Sequence, residues 1–374
     1  MVAVTDAALR VACSPGLARI AVFENGTLKD FGLWIPGKPD LLGAVFRGRV
    51  GKLAPTLGGA FIALPGFGSD GFLSLKEHHP PLCEGEAITV RVTRAPMGNK
   101  GPRLSLAREM PAASPGLLKP GPSALEEMAQ RWTGDILIDT PTFAARVPSR
   151  LRERVRIVPQ TWDEDIADAV DALSVPDVSL PGGMAATITP TPALVAIDMD
   201  SGTAANASLP KQTAQFALNR DALPAIVRQI VLRNLSGAIL IDPAGLSTRK
   251  RQALRDCVDK ALEADPLRAR CLGITALGLI EIVRARTHAP LHEELASPHG
   301  RALAALREVA AHCAGQSGLR PVLKAGTTLA RALEEDPLAV NDVTVWCEHP
   351  LTIISDPSLP PLSWNLVEGR SARD

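Results

Sequence analysis

The 374-residue sequence has no tyrosine, and its rings amount to eight Phe and five Trp. It also has no C-x-x-C pair, since Cys13, Cys83, Cys257, Cys271, Cys313 and Cys347 stand singly. That spacing argues against a thiolate zinc site, and so few cysteines in so long a chain do not make a disulfide framework. The expectation is reduced, mostly buried thiols. An excess of one charge is missing too, because 40 Lys+Arg balance 40 Asp+Glu. A uniformly basic nucleic-acid binder and a strongly acidic tail protein are thereby excluded. No apolar run approaches the ~20 residues of a membrane-spanning helix. Residues 1–10 lack the charged start and apolar stretch of a secretory signal. The sequence therefore reads as a soluble, cytoplasmic protein. No Ser/His/Asp pattern supports a serine hydrolase.

What is present suffices for real cores. Hydrophobic residues make up 46% of the chain, and its length allows roughly two to four domains of about 100–200 residues. Six of the eight Phe lie before residue 73, together with Trp34. Glu24-Asn25-Gly26 is a hairpin turn between two short apolar strands. Residues 39–108 carry five or so short strands separated by Gly- and Pro-bearing turns, as in a small barrel. Residues 111–122 hold four Pro and read as a linker. From residue 124 the pattern becomes α/β. A helix precedes the strand DILID, a second begins at Pro141, and an acidic one spans 163–173. Residues 181–183, PGG, open a hairpin. Residues 193–198 (ALVAID) and 237–242 (GAILID) are apolar strands that each end in Asp. A helix near 213–234 lies between them, and such a βαβ order favours parallel strands. Further helices are expected at 247–264 and 300–314, and GLIEIVRAR is read as helical.

Charge is segregated along the chain. Residues 39–108 hold nine Lys/Arg against five Asp/Glu, 157–210 hold eight Asp/Glu and no Lys/Arg, and 219–290 hold twelve Lys/Arg against seven Asp/Glu. Carboxylates for a cation and cations for phosphates are what a metal-using phosphodiesterase needs. Charge blocks that are merely solvated faces account for the same counts, and on charge alone that reading is the stronger.

Two constellations carry chemistry. Phe61 and Phe72, on neighbouring strands of the barrel, are placed to stack bases. The Gly98-Asn99-Lys100-Gly101 loop offers N–H groups and an ammonium to phosphate. Arg47, Arg49, Lys52, Arg91, Arg94 and Arg103 add positive charge. A place for both rings in the barrel core is the competing reading. The second constellation is Asp198 and Asp200 in AIDMDSG with Asp242 in LIDPAG. Ligands of open α/β sheets gather beyond the carboxyl ends of strands, where Asp can hold a hard cation such as Mg²⁺. Alternation places Asp198 and Asp200 on one face; helix capping or turn formation is the alternative. Arg249, Lys250 and Arg251 at a helix start, and Arg284 with Arg286, either contact phosphate or lie on exposed faces.

These segments in this order resemble the ribonuclease E/G family. GAVFRGRVGKLAPTLGGAFIALPGFGSDGFLSL is similar to its RNA-binding barrel, with Phe61 and Phe72 at the aromatic positions. GNKGPRLSL is similar to its basic loop, with Lys100 at the basic position. TGDILIDTP, LPGGMAATITPTPALVAIDMDSG, RQIVLRNLSGAILID and LGLIEIVRAR resemble its catalytic half. The resemblance implies an α/β, multi-subdomain (α+β) chain. Residues 1–38 and 111–190 would form a ribonuclease-H-like subdomain into which an OB-fold barrel, 39–108, is inserted. Residues 191–290 would form a deoxyribonuclease-I-like catalytic subdomain and 291–374 a small α/β C-terminal one. It implies internal, Mg²⁺-dependent cutting of single-stranded RNA to leave a 5′-phosphate, in RNA processing or decay.

The departures from the family pattern are specific. Asp198 matches the first metal-binding Asp, but Asp200 stands where the family has Asn. Gly245 occupies the place of the second metal-binding Asp, so Asp200 or Asp242 would have to substitute. The segment that senses a 5′-monophosphate has no counterpart between the linker and TGDILIDTP. The paired-Cys zinc link is replaced by residues 294–300, ELASPHG. No zinc is expected, and a monomer or dimer is expected in place of a zinc-linked tetramer. Two functions remain open: a Mg²⁺-dependent endoribonuclease using Asp198, Asp200 and Asp242, with Phe61, Phe72, Lys100, Arg47, Arg49, Arg103, Arg249, Lys250 and Arg251 on RNA; or an RNA-binding member whose catalysis is reduced or lost through Gly245. A scaffold without RNA function fits the zero net charge but ignores the barrel.

Overall fold

The computed structural model describes residues 7–39, 41–75, 81–96, 100–108, 114–202, 211–314 and 320–368. The chain divides into two units, one of residues 1–37, 128–285 and 290–374, the other of 38–127 and 286–289.

The larger unit carries three sheets. In the first, strands run in the order Val155–Ile157, Ile136–Ile138, Leu9–Ser14, Leu17–Glu24, Thr27–Trp34. The first three are mutually parallel and the rest antiparallel. The Asn25-Gly26 turn works as read: both residues have positive φ, 50° and 68°, which matches the twist of a two-residue hairpin. The second sheet has the order Asp177–Leu180, Met184–Pro190, Val195–Asp200, Gly237–Asp242, Ile280–Arg284, Arg270–Ile274. Val195–Asp200 and Gly237–Asp242 are parallel, as the intervening helix required. The hairpin around Pro181–Gly183 forms as expected, and its strands hydrogen-bond into this same sheet, so a boundary at 190/191 cuts through it. Val195, Ile197, Met199, Ile239 and Ile241 alternate onto one face. There they form a core with Leu223, Ile226 and Ile230 of the helix Lys211–Leu232 and Val258 of the helix Arg255–Leu262.

GLIEIVRAR is a strand and not the expected helix: Ile280, Ile282 and Arg284 all point inward. Arg284 is no phosphate ligand. Its side chain is 3% exposed, and Nε sits 3.0 Å from Oδ2 of the equally buried Asp265. Nη1 donates to Asn234 Oδ1 at 2.8 Å and Leu235 O at 3.0 Å, so the guanidinium is fully engaged.

The third sheet, Thr352–Ser355, Pro321–Ala325, Trp364–Glu368, shares a core with the helices Pro298–Cys313, Thr327–Glu334 and Pro337–Cys347. Cys313 and Cys347, at the ends of two of these helices, form a disulfide, with Cα atoms 5.3 Å apart. The expectation of reduced thiols throughout is thus corrected for this pair; two helix ends that meet in the fold are 34 residues apart in sequence. Asp342, 2% exposed, accepts from Gly16 N at 3.0 Å and from both Nη atoms of Arg146.

In the smaller unit Gly59–Ala63, Gly71–Ser74, Arg103–Leu106, Ala87–Arg94 and Val45–Ala54 form a barrel, closed by pairing of the last strand with the first. Ala60, Ile62, Leu73, Val90 and Leu104 fill it. The presumed linker contributes a sixth strand, Gly116–Lys119, paired with Val45–Ala54. It pairs with Val45–Arg47, the part of that strand beyond the reach of its pairing with Gly59–Ala63, which begins at Arg49. Among the described residues, no helix is long and apolar enough to cross a membrane.

Candidate functional site

Phe61 and Phe72 are direct cross-strand partners. Their neighbours Ala60, Ile62 and Leu73 point into the barrel, so alternation turns both rings outward. They are half-buried against each other, ring centroids 5.4 Å apart in an edge-on arrangement. The core reading of these rings is therefore excluded. Lys100 is exposed; Gly98 and Asn99 of its loop lie outside the described residues. Arg103 and Arg49 are exposed and Arg47 half-buried, and Arg49 Nη1 donates to Gly85 O at 2.6 Å. Arg94 stands opposite Arg103 in the ladder, and its Nε is buried with no partner among the described residues. Burial first, then the nearby charges of Arg103 and Arg286, push its pKa down.

The acidic residues belong to the larger unit. Asp198 and Asp242 are paired across the parallel strands Val195–Asp200 and Gly237–Asp242, side by side on the face away from the apolar core. Asp200 lies one alternation further along the same face, opposite Ala185, and its Oδ1 accepts from Gly202 N at 2.9 Å. Asp242 already has a cation. Its Oδ1 lies 2.7 Å from Arg251 Nη1, and the same guanidinium donates to Gly278 O and Leu246 O, each at 3.0 Å. Arg251 is therefore turned to protein groups, with 17% of its side chain exposed, while Arg249 on the same short helix is exposed. Lys250 Nζ stands 5.5 Å from the centre of the Phe216 ring.

Among the described residues, no group of three or more His, Cys, Asp or Glu converges where it could hold a metal ion. A cage of three carboxylates is therefore not formed. Mg²⁺ does not need one, since it keeps several waters and takes one or two carboxylates together with substrate phosphate. The in-register pair Asp198 and Asp242 supplies two carboxylates on one face, of which Asp242 is already paired with Arg251.

Beyond Asp242 the chain turns at Gly245, φ +60°, and is fastened to the helix Lys211–Leu232 by Gln212 and Asn219. Amides on a helix belong to no spacing pattern, and these escaped the sequence reading.

A model of the ribonuclease E/G family matches residues 127–287, a span that contains both acidic strands. Ribonuclease E of Synechocystis sp. is 29% identical over 197 residues, covering 46% of this chain and 28% of that protein. Ribonuclease E of Escherichia coli is 23% identical, covering 90% of this chain and 41% of that protein. Ribonuclease G of Haemophilus influenzae is 24% identical, covering 77% and 82%. The chain thus spans less than half the length of either ribonuclease E.

Proposed function

Because the chain belongs to the ribonuclease E/G family, we propose that it is a Mg²⁺-dependent endoribonuclease acting on single-stranded RNA in RNA processing or decay. The observation that carries this reading is the register that sets Asp198 beside Asp242 at the carboxyl ends of two parallel strands. The six-stranded sheet would be the deoxyribonuclease-I-like part, the five-stranded sheet the ribonuclease-H-like part and the barrel the OB-fold.

Asp198 would hold the cation, with Asp242 across the ladder as its neighbour. When bound, Mg²⁺ neutralises phosphate charge and lowers the pKa of an attacking water. The remaining work falls to side chains. Phe61 and Phe72 stack bases and so hold the strand extended. Arg103 and Lys100, both exposed, meet its phosphates. Arg251, fixed by two carbonyls, keeps the Asp242 carboxylate oriented and part of its charge balanced.

A second reading is favoured by two observations: Gly245 offers no carboxylate, and Asp242 is paired with Arg251. On that reading the chain binds RNA without cutting it. The deciding assay incubates labelled single-stranded RNA with Mg²⁺ and either wild type or Asp198→Asn. Cleavage lost in the variant is expected. Absence of cleavage by wild type at high concentration selects the second reading.

A further inference from the structure

Three amide side chains, Gln212, Gln215 and Asn219, share one side of the helix Lys211–Leu232, at spacings of three and four residues. Gln212 donates to Gly245 O at 3.0 Å and accepts from Ser247 N at 2.9 Å. Asn219 donates to Ala244 O at 3.0 Å and Gln215 O at 2.8 Å, and accepts from Ala244 N at 2.9 Å. Both use donor and acceptor on backbone. Gln215 differs. Its Nε2 donates to Ser201 Oγ at 3.1 Å, yet its Oε1 is buried with no partner among the described residues, on a side chain only 5% exposed. A buried acceptor left unpaired is costly, and in native proteins such a group marks a water, an ion or a function.

The place of this amide is specific. A Cβ on Gly245 would stand 3.3 Å from both Cδ and Nε2 of Gln215. Gln215 therefore fills the room into which a side chain at 245 would grow. Its other contact, Ser201, directly follows Asp200 on the strand that bears Asp198. The amide thus ties together the end of the Asp198 strand and the position where the family pattern has its second metal carboxylate.

We infer that Gln215 Oε1 is an oxygen ligand of the divalent cation held by Asp198, taking the part of the carboxylate that Gly245 lacks. The inference rests on the metal-dependent reading above. An amide oxygen is a hard, neutral donor of the kind that Mg²⁺ and Ca²⁺ accept. It brings one negative charge fewer than Asp, so the site binds its cation more weakly than a two-carboxylate site and gains when the charge is restored. A leucine of similar size would fill the same space without an orphaned acceptor, so packing alone does not call for Gln here.

The test uses the whole chain without RNA and Mn²⁺ as the probe, read by calorimetry and by the electron paramagnetic resonance signal of free Mn²⁺. Gln215→Leu is expected to weaken Mn²⁺ binding about tenfold or more, and Gln215→Glu to tighten it by about the same factor. The melting temperature of metal-free Gln215→Leu should equal or exceed that of wild type, because an unpaired acceptor is removed. Gly245→Asp alone meets Gln215 and a positive φ, so its gain should appear only when combined with Gln215→Ala. If Gln215→Leu binds Mn²⁺ as wild type does while Asp198→Asn loses it, Gln215 is not a ligand and the metal-dependent reading stands. If wild type takes up no Mn²⁺, that reading falls and this inference with it.

Discussion

Replacing Phe61 or Phe72 by Ala separates base stacking from barrel stability. Both rings lie outside the barrel, whose core is built from Ala60, Ile62, Leu73, Val90 and Leu104. The stability at stake is mainly the edge-on pair itself, about 0.5–1.5 kcal/mol. Phe72 has somewhat more to lose, because a Cβ on Gly59 would overlap its ring, which therefore lies across that glycine's backbone. Stacking of one base on one ring contributes about 1–3 kcal/mol, or roughly a fivefold to 150-fold change in Kd. Each single variant should fall in that range. The double variant is the sharper measurement, because rings 5.4 Å apart share surroundings and are not independent. Two separate bases would give nearly additive losses; one base shared between the rings would make the double equal to the larger single. The assay is fluorescence anisotropy of a labelled single-stranded oligoribonucleotide in EDTA at physiological salt, so that binding is read without cleavage. A Kd within twofold of wild type for the double variant, with the circular dichroism spectrum unchanged, would refute the stacking role.

Two further outcomes follow from the larger unit. Asp342→Ala should destabilise the chain by about 3 kcal/mol in urea titration, the low end for a broken buried pair, because the Arg146 side chain it leaves unpaired is 20% exposed; a loss under about 1 kcal/mol would show the pair to be incidental. The Cys13 thiol is pushed well above the ordinary thiol range by burial and by the Asp139 carboxylate beside it, whereas Cys83 is exposed. Iodoacetamide at pH 8 should label Cys83 in the native chain and spare Cys13, since the thiolate is the nucleophile; equal labelling rates by peptide mass spectrometry would contradict the burial argument.

Legibility in the sequence follows from period and range. The strands that end in Asp198 and Asp242 were readable because Val195, Ile197 and Met199 alternate with exposed residues, and the helix between them is long enough to force a parallel crossover. GLIEIVRAR was misread because Arg284 takes a core position in a period-2 pattern. An Arg there looks like the polar side of an amphipathic helix unless its partner is known, and Asp265 lies 19 residues upstream. The disulfide was hidden for the same reason. Cys313 and Cys347 meet only because two helices pack on one sheet. The sixth barrel strand was concealed by prolines, which flank Gly116–Lys119 without interrupting it.

The charge blocks are largely accounted for by local structure, in line with the stronger reading of charge alone. In the acidic segment 157–210, Asp163 caps the helix Glu164–Asp171, accepting from Ile166 N at 3.0 Å, and Glu164 and Asp165 occupy its first turn. Carboxylates there answer the positive end of the helix and need no metal. Asp177 accepts from Thr187 in a hairpin at 2.8 Å. What remains of the block at the strand ends is Asp198 and Asp200. Part of the basic segment is used likewise: Arg233 donates to Val175 O and Ala172 O, Arg284 holds Asp265 and Arg251 holds Asp242, while Arg249, Arg255, Lys260, Arg268 and Arg270 are exposed. At the strand ends themselves, an electrostatic argument therefore rests on few side chains. One of the strand-end carboxylates is already balanced by Arg251, so on the proposed metal-dependent reading the affinity for the cation turns on the neutral groups around Gly245, which no count of charges registers.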